Sequence, residues 1–152
     1  MSDRTAFFIK FYEENIPFHK FLGLKVIELK KGYVKMRFPF RPELIGDVRS
    51  GNWHGGVIAT ALDAAGGMAA ASLLKSKADQ LATLDIRVDY LKPNRSEAII
   101  VTGKVIRSGN SSIVTNLQAF NEETEELLAD GRAVFSVRRA EKPLEGLKPS
   151  KG

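Results

Sequence analysis

Residues 52–67 read NWHGGVIATALDAAGG, and the fold turns on how this stretch is read. A polar His54-Gly55-Gly56 turn opens a segment of Ala, Gly and aliphatic side chains that holds one carboxylate, Asp63. Residues 55 to 74 carry no Lys, Arg or Glu, so a membrane span has to be weighed. Composition speaks against it. Gly and Ala fill much of the run, and an Asp near its centre costs about 2.5 to 3.5 kcal/mol on an insertion scale, with little Leu or Ile to offset it. A helix buried in protein is the better reading. Its small residues, among them Ala61, Ala65, Gly66, Gly67 and Ala69, permit very close backbone approach. A glycine inside a helix costs roughly 1 kcal/mol relative to Ala, so Gly66-Gly67 implies tight packing against a sheet that curls around the helix.

Working outward, residues 4 to 15 set Phe7, Phe8, Phe11 and Tyr12 at helical spacing, and Pro17 is expected to close that helix. The period then changes to two. Residues 23 to 30 and 33 to 40 read as a hairpin turning at Lys31-Gly32, followed by a polar loop from Arg41 to Trp53. The segment LATLDIRVDYL, residues 81–91, alternates: Ala82, Leu84, Ile86, Val88 and Tyr90 fall on one face, and Thr83, Asp85, Arg87 and Asp89 on the other. Further strands are predicted over 97 to 107, 111 to 120 and 127 to 138. One long helix after two strands and before four more predicts an α+β fold with a mostly antiparallel sheet. A single domain over residues 1–140 is expected, with a flexible tail over 141–152 that contains Pro143 and Pro149.

Composition narrows the chemistry. The chain has 152 residues, 43% of them hydrophobic and 27% charged, as in an ordinary globular protein. With no cysteine, disulfide scaffolds, thiolate catalysis and Cys-ligated zinc are excluded, and two histidines without ligand-like spacing leave little for a transition metal. A net charge of +5 suits an anionic partner. No basic and aromatic recognition motif accompanies it, so nucleic acid is not the expected partner. The N-terminal MSDRTAFFIKFYEEN does not read as a signal peptide, and a cytoplasmic location is expected.

The opening stretch has a chemical meaning at both ends. At a helix start the first backbone N–H groups lack intrahelical acceptors, the macrodipole adds partial positive charge, and glycine leaves them accessible. His54-Gly55-Gly56 therefore resembles an oxyanion site for a polarised carbonyl. Asp63 supplies a base or a nucleophile. Seven or eight helical residues span about 10 to 12 Å, too far for one carbonyl to meet both groups, so the expectation is a two-fold dimer in which Gly55 of one copy faces Asp63 of the other. Plainer readings stand beside these. His-Gly-Gly is often only a turn, His54 can be a helix cap, and Asp85, Arg87 and Asp89 are most simply a charge ladder. For Thr83, a strand role and a functional role weigh about equally.

HGGVIATALDAAGG followed by TLDIRVDYLKP resembles the acyl-coenzyme A thioesterases of the hotdog fold, in the branch typified by the phenylacetate-pathway enzymes. The resemblance runs over about residues 20 to 138 and includes a Tyr-x-x-Pro, Tyr90 to Pro93. It implies a long helix wrapped by an antiparallel sheet, an acyl-CoA substrate, no cofactor beyond the substrate's own coenzyme A, no metal, and homodimers that pair into tetramers. It implies the backbone N–H of Gly55 as oxyanion donor with Gly56 beside it, Asp63 as catalytic carboxylate and Thr83 as the hydroxyl that helps place water. His54 and Asp47 fall among the substrate-binding positions, Asp47 standing where these enzymes often carry Asn. Arg107, Gly109, Asn110 and Ser111, around Ser108, match a turn near the coenzyme A nucleotide, while Arg49, Lys92 and Arg95 are equally plausible phosphate contacts. A medium or long acyl chain is favoured over a small aromatic one. A hydratase or dehydratase on the same fold, or a non-catalytic acyl-CoA-binding module, remain the alternatives.

Overall fold

The computed structural model describes residues 2–140, so the tail expected over 141–152 lies outside the described residues. Helix α1 (Asp3–Lys10) is capped by Ser2, whose hydroxyl accepts from the Thr5 N–H, and runs on into a π-helical turn, Phe11–Asn15. Ile16 is extended, as the ring of a following proline favours, and Pro17 then starts a second helix, α2 (Pro17–Leu22). This corrects the expectation that Pro17 only ends a helix. Its missing N–H costs nothing at a helix start, so one proline stops the first helix and begins the next.

Strands β1 (Lys25–Lys30) and β2 (Tyr33–Phe38) form the predicted hairpin. The predicted loop contains a small antiparallel pair, β3 (Ile45–Asp47) and β4 (Asn52–Trp53), which leads directly into α3 (Gly55–Ala71). Four strands follow: β5 (Gln80–Tyr90), β6 (Ile99–Ser108), β7 (Ser112–Asn121) and β8 (Leu127–Arg138). They join the first hairpin in one antiparallel sheet of order β1-β2-β6-β7-β8-β5. α3 packs against β2, β5, β6, β7 and β8, which is the wrapped-helix arrangement of the hotdog fold. No helix among the described residues is long and apolar enough to cross a membrane.

Leu62 and Met68 of α3 are fully buried with Val101, Leu117 and Phe135 from the sheet. Each such side chain contributes about 1.5 to 3 kcal/mol by leaving water. The small residues allow the helix to sit this low. A Cβ on Gly103 of β6 would lie 2.5 Å from the Ala65 carbonyl oxygen, and one on Gly66 would lie 2.9 Å from Leu117 Cδ2. At Gly67 a Cβ would meet only Phe135, at 3.6 Å, so the close approach belongs to Gly66.

The alternation predicted for β5 breaks at Leu84. Pairing passes from Thr83↔Phe135 to Asp85↔Val134, leaving Leu84 as an extra residue, 65% exposed. One inserted residue reverses which face each side chain takes. Thr83, opposite buried Phe135, therefore shares the helix-facing side with Ile86 and Val88, and it is not on the face of Asp85, Arg87 and Asp89 as the simple period predicts. Ala82 and Leu84 are exposed instead of packed.

Candidate active site

The start of α3 is aimed by the segment before it. The Trp53 N–H donates to the Asn94 carbonyl at 2.9 Å, the Trp53 indole N–H to the Glu97 carbonyl at 3.1 Å, and the His54 N–H to the Leu44 carbonyl at 2.8 Å. Asn94 is buried and accepts in turn from the Asn121 amide at 2.8 Å. In the first helical turn the Val57 N–H goes to the His54 carbonyl, and the Gly56 N–H goes to His54 Nδ1 at 2.9 Å. That leaves the Gly55 N–H as the first-turn donor with no acceptor among the described residues. Gly56, expected beside the Gly55 donor, has its own N–H taken by His54 as N-cap. Since Nδ1 accepts, the ring proton of neutral His54 is on Nε2.

Tyr90 completes this end of the helix. Its hydroxyl donates to the Gly55 carbonyl at 2.6 Å, and its ring would stand 3.3 Å from any Cβ at position 55. The sequence marks Tyr90 as part of a motif but gives no sign of this contact, which depends on where β5 crosses the helix.

Asp63 lies two turns further on. It is half-buried, in a groove and not in the core, and its Oδ1 accepts from Thr83 Oγ1 at 2.9 Å. The groove, about 350 Å³, is lined by these two residues together with Phe18, His19, Thr60 and Ile86, among others. Phe18 and His19 belong to α2, the helix that the sequence does not predict, so His19 is a site residue missed with it. Its Nδ1 is 3.0 Å from the Tyr12 carbonyl oxygen. Burial holds the His19 ring below its usual range, against weaker raising effects from the Tyr12 carbonyl and Asp63. Burial also pushes the Tyr12 hydroxyl up to about 12.

The other predicted positions are more dispersed. Asp47 accepts from the Arg49 N–H at 3.0 Å, from Ser50 Oγ at 2.9 Å and from Arg49 Nε at 3.3 Å, so its carboxylate orders its own loop. The Arg49 backbone N–H, ahead of the Ser50 hydroxyl, holds the Asp47 carboxyl below the usual carboxylate range. Gly109, Asn110 and Ser111 form the β6–β7 turn, closed by Gly109 N–H to Ser112 O at 2.8 Å, and Arg107 stands just before it at the end of β6, paired with Val114. This turn sits at the end of the sheet where Ser112 pairs with Ser136 and Ser136 with Ala82, beside Thr83 and away from Tyr90. Arg49 is paired with Asp47 and Lys92 with Glu126, whereas Arg95 and Arg107 make no ion pair among the described residues. Within one chain Gly55 meets Tyr90 and Asp63 meets Thr83, seven positions apart on β5, so the fold does not bring the two halves of the chemistry together.

A family model described as the thioesterase superfamily matches residues 50–128. The chain belongs to this superfamily. Gly55, Asp63, Thr83, Tyr90 and the turn of Arg107 lie inside the matched region, and His19 and Asp47 lie outside it. Among superfamily relatives, the chain is 30% identical over 135 residues to the medium/long-chain acyl-CoA thioesterase YigI of Escherichia coli, covering 81% of this chain and 86% of that one. It is 34% identical over 146 residues to a putative esterase of Halobacterium salinarum, covering 91% and 95%. A crystal structure from Shewanella oneidensis, described as related to the thioesterase superfamily, superposes with a TM-score of 0.78 at 32% identity, covering 91% of this chain and 100% of that one.

Proposed function

We propose that this thioesterase-superfamily protein hydrolyses acyl-CoA thioesters to free acid and coenzyme A, at a site assembled from two copies of the chain. The observation that carries the reading is the Asp63 carboxylate, fixed by Thr83 at one oxygen and open to a groove at the other. With Oδ1 engaged, Oδ2 is free to accept a proton from water. The thioester carbonyl takes the Gly55 N–H, where negative charge developing on oxygen meets both a donor and the positive end of the helix. Water oxygen bonds to the carbonyl carbon, Asp63 receives a proton, and the C–S bond breaks with its electron pair on sulfur. The step requires neither metal nor redox cofactor.

Eight residues of one helix separate Gly55 from Asp63, about 12 Å, which supports a second copy supplying the missing half. Phe18, Ala59, Ala64 and Ile86 give the groove apolar walls suited to an alkyl chain, in keeping with the medium/long-chain name of the Escherichia coli relative. Of the candidate phosphate contacts, Arg95 and Arg107 make no ion pair among the described residues and are open to coenzyme A phosphates.

Thiol release from a series of acyl-CoAs tests the reading, beside an assay for hydration of enoyl-CoA. Asp63→Asn keeps the side chain's shape and removes the base, so kcat should fall by about 100- to 10,000-fold while acyl-CoA still binds. Full turnover in that variant would remove Asp63 from the mechanism. Hydration without thiol release by the wild type would replace hydrolysis as the reaction.

A further inference from the structure

The N-terminal segment brings a second titratable group into the groove of Asp63. His19, on α2, lines the groove with Asp63, Thr60 and Thr83. Its orientation is set from behind, because Nδ1 is 3.0 Å from the Tyr12 carbonyl oxygen, which can only accept. Nδ1 therefore carries the proton and Nε2 keeps its lone pair. Nε2 has no hydrogen-bond partner among the described residues and is not among the sealed polar atoms. Asp63 and His19 do not bond to each other, and among the described residues the Asp63 carboxylate accepts from Thr83 alone. Two residues that each keep an unengaged acceptor among the described residues, Asp63 at Oδ2 and His19 at Nε2, thus line one groove.

We propose that His19 is a water-positioning residue of the hydrolytic site, its Nε2 accepting one O–H of the attacking water while Asp63 accepts the other. The inference rests on the thioesterase reading. A water held by both O–H groups has a lone pair left for the carbonyl carbon. As the C–O bond forms, the proton on the Asp63 side passes to the carboxylate. The C–S bond then breaks with its pair on sulfur, and the thiolate takes that proton from Asp63. The remaining water proton, now on the product acid, passes to Nε2 and from there to solvent. Thioester and water become carboxylate, thiol and one released proton, and both residues return to their starting states.

The titratable groups beside the ring are Tyr12 and Asp63. Tyr12, raised to about 12, stays neutral through the working range. The Asp63 charge favours a protonated ring, but burial outweighs it and keeps His19 below its ordinary value. Nε2 is therefore an acceptor at neutral pH. In acid it gains a proton, becomes a donor and no longer holds the water, so kcat should fall as pH drops through the ring's own pKa, below about 6.5.

The chain has two histidines, so ring 15N spectra resolve His19 from His54 by comparison with a His19 variant. The expected spectrum has the His19 proton on Nδ1, and Asp63→Asn should lower the His19 pKa further by removing a charge that favours the protonated ring. Kinetics supply the second arm. His19→Asn keeps an N–H near Nδ1 for Tyr12 and deletes the acceptor at Nε2; kcat should fall about tenfold with KM little changed. His19→Gln returns an amide oxygen near Nε2 and should recover to within about threefold of wild type. The part of the acid limb that follows the His19 ring pKa, as read from the wild-type 15N titration, should vanish in both variants. An unchanged kcat in His19→Asn, equal losses in the two variants, an acid limb in either variant that still follows the wild-type His19 ring pKa, or a proton found on Nε2 would overturn the assignment. A wild type that releases no thiol from any acyl-CoA fails differently, removing the thioesterase reading and the inference with it.

Discussion

A single hydroxyl separates a strand residue from a member of the site. Thr83→Val keeps the branched shape that suits β5 and deletes the bond to Asp63, leaving the carboxylate free to rotate. Hydrogen bonds to charged groups contribute about 1.5 to 3 kcal/mol, so a fall in kcat of about tenfold or more is expected in thiol-release kinetics, with KM little affected and Thr83→Ser near wild type. An unchanged rate in Thr83→Val would return the residue to a purely structural role. The same logic separates the two glycines of the opening turn. Gly55 offers a free N–H and is closed against a side chain by Tyr90, whereas the N–H of Gly56 is held by His54 Nδ1. Two neighbouring residues of one type thus have different uses, and only the geometry of the cap distinguishes them.

At the scale of elements, the site depends on how low α3 sits on the sheet and on where β5 is kinked. Gly66→Ala would set a methyl against Leu117, Thr115 and Phe135, and Gly103→Ala would drive one into the Ala65 carbonyl. Overpacking of this kind costs typically about 1 to 3 kcal/mol, and at this chain length each kcal/mol lowers Tm by about 2 to 4 °C. Thermal melts should show the larger loss for Gly103→Ala, because its obstacle is backbone and cannot rotate away. Melts equal to wild type for both would mean that the helix rides higher on the sheet. The bulge at Leu84 acts on function more directly. Without that extra residue in the count, Thr83 would be assigned to the outer face with Asp85 and Arg87, remote from Asp63.

At the scale of the molecule, the separation of Gly55 from Asp63 makes assembly the decisive question. Two inactive variants answer it. Asp63→Asn lacks the base, and Gly55→Val adds a side chain where Tyr90 and the carbonyl leave no room. If each site draws both groups from one chain, a mixed dimer has a defect in every site and mixing restores nothing. If the groups come from opposite chains, a mixed dimer collects both defects in one site and leaves the other whole. With random pairing about half of the dimers are mixed, so co-expressed chains should recover about a quarter of wild-type activity by two-fold symmetry. Persistent inactivity in verified mixed dimers would overturn the shared site.

The α+β class, the hairpin over β1 and β2 and the buried helix over α3 were legible in the sequence, because each rests on local information: hydrophobic period, helix-start chemistry and a run of small residues. The fate of the opening stretch was half legible. His54-Gly55-Gly56 announces a helix start, but that His54 takes the N–H of Gly56 and leaves that of Gly55 is decided by a side-chain rotamer. What no local pattern carries is parity after a bulge, the second helix begun by a proline, and the contacts made where separate elements cross. Thr83 on Asp63, Tyr90 on Gly55 and His19 in the groove are all of this kind, pairs distant in sequence that meet only once α3 is seated and β5 bends. Local chemistry names the groups this chain carries; which of them share a space follows from the register and crossing of its elements, which no single segment encodes.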